Sequence, residues 1–276
     1  MHNNLLIISY FCFMKKWILI LSSFLWGHNL IAQEIKIIDH STAIYNKKAL
    51  VILNGFGDSK KNRKIQSNFF KNKGYDLFIP EYHENSSLDS TISNFSSFYE
   101  LNNLNHYKEV NFLCYIVGGF VLNKHIIKYG HGKISTIIYD RSPIQERAPL
   151  TTVKKIPLIV KILYGKLIFE FSKEKIVSLN NSYNIKIGVI IENKATRVMR
   201  IFKKTANSFG EYNYDAIEIE KNYSDFMHTK LDHDQMYNRF DIIGDEIFYF
   251  LNNGVFTKKA RREKYNWDPF KKIKNL

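Results

Sequence analysis

Beyond residue 48 the apolar positions fall into two patterns: short unbroken runs, and longer stretches in which apolar residues recur every three or four positions. The unbroken runs read as strands covered on both faces, the spaced stretches as helices with one face against a sheet. Strands are predicted at 49–53, 75–79, 110–114, 134–139 and 185–191, with a last one at 216–219. Helices are predicted at 62–72, at 87–101, where Leu88, Ile92, Phe95 and Tyr99 share a face, and at 120–129, 198–206 and 240–251. Strand and helix take turns, so the expected class is α/β, a mostly parallel sheet with helices on both faces. Between 144 and 184 the rhythm breaks, and apolar helical residues around 157–171 come with no strand among them. That segment reads as a helical cap inserted over the carboxyl edge of the sheet.

The start of the chain is built differently. Met14-Lys15-Lys16 precedes an apolar run at 17–25, and Ala32-Gln33 supply small or weakly polar residues behind it, as in a secretory signal. Residues 1–33 are therefore expected to be a signal peptide, with Met14 as a possible true start, ahead of a domain at 34–254 and a basic tail at 255–276. Export to the periplasm, the cell envelope or the medium follows. The alternative is an N-terminal membrane anchor, which Gly27, His28 and Asn29 argue against by ending the run short of the roughly 20 apolar residues a span needs.

At 45% hydrophobic and 15% aromatic, the 276 residues are enough to build a substantial core. The net charge of +14 would suit a nucleic-acid partner, but residues 258–274 hold eight basic residues against Glu263 and Asp268. The body is only mildly basic and carries no recognisable nucleic-acid module, so none is expected as a partner. With Tyr265, Trp267 and Phe270 interleaved, the tail reads as a solvated extension, or alternatively as a weak contact to an anionic surface. Cys12 and Cys114 are the only cysteines, which excludes a disulfide framework and a cysteine metal site. Asp225, His228, Asp232, His233 and Asp234 cluster without HExxH spacing, so neither metal nor cofactor is expected.

Two loops hold the candidate chemistry. Asn54-Gly55-Phe56-Gly57 follows the first long strand, at the edge where open α/β sheets bind ligands. The run 110–114 passes through Cys114-Tyr115-Ile116-Val117-Gly118-Gly119 into a helix, which is the strand, tight turn and helix of a nucleophile elbow. On these residues the chain resembles the α/β-hydrolases over about residues 50–251. Members of that family read Gly-x-Ser-x-Gly-Gly at the elbow; here both later glycines match, while Cys114 stands for the first glycine and Ile116 for the serine. The resemblance implies an oxyanion loop at Asn54, Gly55 and Phe56 together with Val117. It places the family's acid at Ala195 and its histidine at His228, with His233 as second choice.

Ile116 has neither lone pair nor proton with which to begin covalent chemistry, and Ala195 has no carboxylate. A triad works as a unit, so losing both members is the expected trace of lapsed selection on catalysis. The expected function is that of a pseudoenzyme, binding or scaffolding, with an apolar acyl-type ligand under the cap. The alternative is an active ester or amide hydrolase with a relocated nucleophile. For it Cys114 supplies a thiol, Asp140 a surviving carboxylate and His233 the imidazole, while Ser142 reads as a turn residue.

Overall fold

The computed structural model describes residues 33–272; the leader expected at 1–33, Cys12 and Met14 included, lies almost wholly outside them. Seven strands form one sheet: β1 (Ile35–Ile37), β2 (Lys48–Leu53), β3 (Tyr75–Ile79), β4 (Glu109–Cys114), β5 (Ile134–Arg141), β6 (Lys186–Lys194) and β7 (Asp225–Asp232). Their order is β1-β3-β2-β4-β5-β6-β7, with β1 antiparallel and every other pairing parallel. The central strands are Val, Ile, Leu and Phe runs with almost no exposure because helices cover both faces.

On one face α1 (Lys60–Phe70) and α11 (Phe240–Asn253) pack over Leu50, Ile52, Leu113 and Ile190. On the other lie α2 (Leu88–Leu101) and α3 (Ile116–Tyr129), over Val51, Leu53, Phe112 and Ile137. The start of α1 is set by Ser59, whose side chain accepts from Asn62 N, and that of α2 by Ser87 in the same way. Three short helices, α4 (Ala148–Lys155), α5 (Pro157–Tyr164) and α6 (Leu167–Phe171), form the cap and enclose a small core of Ile156, Val160 and Ile168. Among the described residues no helix is long and apolar enough to cross a membrane.

Residues 216–219 are not the last strand. They form a helical turn, α9 (Ala216–Ile219), after two short helices α7 (Arg197–Ile201) and α8 (Lys203–Asn207) that divide the single helix expected at 198–206. The Asp215 carboxylate accepts from Ile217 N, and Ala216 and Ile219, three apart, are the pair that is buried. The true last strand, β7, reads Asp-Phe-Met-His-Thr-Lys-Leu-Asp, whose mixed polarity hides it from a search for apolar runs.

The C-terminal segment also departs from a solvated extension. Phe256 and Ala260 are buried in the sheet-and-helix core. Arg261 O accepts from His228 N on β7, and Pro269 O accepts from Ala195 N. Trp267 Nε1 donates to Asn193 O and Tyr265 N to Asn193 Oδ1, each at 2.9 Å. An edge strand leaves a row of unpaired amides and carbonyls, and this aromatic-rich segment covers that of β7. Several of its cations are engaged within the protein, Arg262 with Asp225 at 2.9 Å and Lys264 over the Tyr214 ring.

Candidate active site and its relay

The elbow keeps its packing logic. A Cβ added at Gly118 would stand 2.3 Å from Leu53 O, and one at Gly119 would stand 2.9 Å from the Tyr139 ring. Only glycines let α3 lie this close to the sheet. The backbone at the tip is nevertheless relaxed: Tyr115 is extended at φ −81°, Ile116 is the first helical residue, and the described non-glycine residues with positive φ are Asn72, Asn103 and Asn184. The tip therefore lacks the strained backbone of a nucleophile elbow, and Ile116 is the residue that occupies it. Ile116 is 7% exposed and, with Val117, lines a pocket of about 670 Å3 beneath the cap.

The loop after β2 faces the same pocket. Asn54 points away from it, exchanging hydrogen bonds with the Gln66 amide at 2.9 and 3.0 Å, which ties the loop to α1. Gly55 and Phe56 line the pocket, and the Phe56 ring packs on Tyr164 of the cap at 4.9 Å between centroids.

Of the two histidines, His233 is the one brought to the pocket. It begins α10 (His233–Met236) directly after β7, held there by Asp232, which caps that turn together with Gln235. Its Nδ1 lies 2.7 Å from Glu192 Oε1 and 3.2 Å from Asp140 Oδ2. Asp140 comes from the end of β5 and Glu192 from β6, and neither carboxylate has any exposure. Asp140, held at sequence level as a fallback acid, thus joins His233, while Glu192 was not foreseen. Its signal was a lone acid closing the apolar run 187–191.

Burial raises the Glu192 pKa well above its ordinary value, and the neighbouring Asp140 carboxylate raises it further. For His233 burial works against the charged form, but Glu192 and Asp140 outweigh it and hold the imidazole pKa well above 6.5. The two carboxylates thus favour the protonated imidazole.

On its pocket side, His233 Nε2 is 3.3 Å from Tyr237 Oη. That hydroxyl also accepts from Gly55 N at 3.1 Å and donates to Phe56 O at 3.5 Å. Tyr237 is fully buried, stacks on Tyr115 at 4.1 Å, and burial keeps it a phenol. Its hydroxyl therefore fills the place beside the loop amide and the imidazole where a reacting oxygen would be held. Tyr237 was also missed in the sequence; the helical i, i+4 step from His233 was its only mark.

The other candidates are elsewhere. His228 sits inside β7 with Nδ1 accepting from Asn193 Nδ2 at 2.9 Å, and burial with nearby Arg261 and Lys264 lowers its pKa to about 4. It ties the sheet edge to the C-terminal segment. Ala195 is wholly buried at the end of β6. Cys114 is wholly buried too, and burial pushes its thiol far above the ordinary value, so no thiolate is available. Ser142 Oγ accepts from Gln145 N at 3.1 Å as a turn cap. The acidic residues 225, 232 and 234 do not gather around a histidine; the one His/Asp/Glu group among the described residues with metal-like spacing is Asp140, Glu192 and His233. Two of its buried oxygens, Asp140 Oδ1 and Glu192 Oε2, have no hydrogen-bond partner among the described residues.

No protein-family model matches the chain, and no curated protein sequence matches it. In three dimensions it is similar to the lipase BlEst2 of Bacillus licheniformis, at 13% identity over 82% of this chain and 99% of that one, with a TM-score of 0.58. It is likewise similar to an alpha/beta hydrolase fold protein from Chitinophaga pinensis, at 12% identity, 80% and 98% coverage and a TM-score of 0.53. A bromoperoxidase from Bacillus anthracis follows at 14%, 75% and 92%, with a TM-score of 0.52. With its sheet order, its glycine-packed elbow and a histidine after the last strand, the chain is a protein of the α/β-hydrolase fold.

Proposed function

We propose that this is an exported pseudoenzyme of the α/β-hydrolase fold that binds an apolar acyl-type ligand under its cap. One observation carries the reading: Ile116, with neither lone pair nor acidic proton, stands at the elbow tip, and the Tyr237 hydroxyl lies within hydrogen-bond distance of both Gly55 N and His233 Nε2 beside it. A general base must accept a proton at Nε2, and the carboxylates that hold the His233 pKa up oppose that role. The pocket is otherwise suited to hydrocarbon, since Phe56, Ile116, Val117, Val160, Ile168 and Phe171 line it. Export is supported by the charged start and apolar run of residues 14–25. A weak contact of the basic C-terminal segment with an anionic surface belongs to the same proposal.

The test is direct. The purified protein is expected to show no labelling by serine- or cysteine-directed activity probes and no turnover of acyl esters above background, and to yield a bound acyl lipid on solvent extraction. Labelling of the native chain favours the alternative, an ester or amide hydrolase with a relocated nucleophile. Ile116→Ser is expected to restore at most trace turnover, because Tyr237 still occupies the Gly55 amide and the neighbouring carboxylates still favour a protonated His233.

A further inference from the structure

The pocket's mouth carries charge that the fold does not use. Lys60, Lys61 and Arg197 all line the pocket and are exposed, and none forms an ion pair among the described residues. The buried cations Arg63, Lys47 and Lys194 are matched, by Asp58 and Glu81, by Asp76 and by Asp232, so what sets Lys60, Lys61 and Arg197 apart is their place on the pocket rim. The single carboxylate on the same lining is Asp234, whose pKa burial raises. Lys60 and Lys61 also occupy the first turn of α1, which holds no acid. Cations are disfavoured at that end of a helix and anions favoured. An anion at the mouth would meet these cations and the helix end together, while Val160, Ile168, Phe171 and Ile116 line the space behind it with hydrocarbon.

We propose that the pocket takes an anionic single-chain amphiphile, with its carboxylate or phosphate head held at the mouth by Lys60, Lys61 and Arg197 and its chain running inward over Ile168 and Phe171 toward Ile116. This rests on the pocket being a ligand site and adds the chemistry of the head. The orientation also separates the protein from an esterase, in which the carbonyl has to lie at the elbow beside the nucleophile. A volume of about 670 Å3 is of small-molecule size, within the roughly 300–1,000 Å3 of typical ligand pockets.

The experiment titrates the full chain, by calorimetry at low and high salt, with dodecanoate, dodecyl phosphate, uncharged monododecanoylglycerol and inorganic phosphate alone. The two anionic lipids are expected to bind about ten-fold or more tightly than the uncharged one, an advantage that shrinks with salt. The charge-reversed variant Lys60→Glu/Lys61→Glu/Arg197→Glu, altered only at exposed side chains, is expected to lose that advantage and keep its affinity for monododecanoylglycerol. Equal binding of charged and uncharged lipids, or an unchanged preference in the variant, overturns the head-group assignment while leaving the apolar pocket standing. Phosphate alone binding as tightly as dodecyl phosphate overturns the amphiphile. If no lipid binds at all, the pocket reading fails with it.

Discussion

The two halves of the site have fared differently. On the elbow side the packing glycines are present, Ile116 stands at the tip, the turn is unstrained, and the loop amide of Gly55 is taken by Tyr237. On the relay side nothing is missing; there are two carboxylates where a relay needs one, and both face the same nitrogen of His233. Two buried acids beside one imidazole favour its protonated form and so oppose its use as a proton acceptor.

The largest effect expected from disturbing this contrast is at His233. Replacing it with alanine leaves two buried carboxyls without their cation and should cost about 3–5 kcal/mol. Urea unfolding of His233→Ala should show it as a lower midpoint; an unchanged midpoint would mean that the cluster holds little of the fold.

The pH dependence of stability comes next. The pKa values of His233 and Glu192 are both raised in the folded protein, so the stability they add is complete below their unfolded values and is lost as pH rises through the folded ones. Where one such group is still titrating, the slope is about 1.4 kcal/mol per pH unit. Melting temperature should therefore fall as pH is raised above 6.5, and less steeply in Glu192→Gln. The acid side has the opposite sign. Burial lowers His83 to about 3 and His125 and His228 to about 4, so their contribution, present above 6.5, is lost as pH falls toward those values. A stability profile that is flat from pH 6.5 to 9 would contradict a protonated His233.

The smallest effect should be at Tyr237. Tyr237→Phe removes the acceptor for Gly55 N and for His233 Nε2, which should cost about 1–2 kcal/mol. Melting curves would register it, while activity-probe labelling should stay at background. Labelling that appears in this variant would show that the hydroxyl was blocking a working site.

Much of the architecture was readable because it rests on local, periodic signals. The strands at 49–53, 75–79 and 110–114 are continuous apolar runs, and each lies in the central sheet close to its expected bounds. β7 was not readable, since its polar residues tolerate burial only because the chain's own C-terminal segment lies across that edge. Residues 216–219 mislead in the other direction, four mostly apolar residues that a capping aspartate turns into a helix. At the site, the position of Ile116 followed from the flanking glycines. The choice between His228 and His233 did not, because it depends on where a strand ends rather than on which residues surround it. The sequence position that matched the family's acid, Ala195, likewise said nothing about Glu192 three residues earlier, whose side chain turns inward while Ala195 meets Pro269.

The sequence by itself determined the alternation of strand and helix, the cap insertion and the absence of a hydroxyl at the elbow, because burial pattern and side-chain chemistry are local properties. Tertiary structure alone decided that Asp140, Glu192, His233 and Tyr237 meet. Asp140 and Glu192 come from β5 and β6 and His233 and Tyr237 from the segment after β7, and both the pull of the carboxylates on the imidazole and the occupant of the Gly55 amide depend on distances of about 3 Å that no spacing along the sequence encodes.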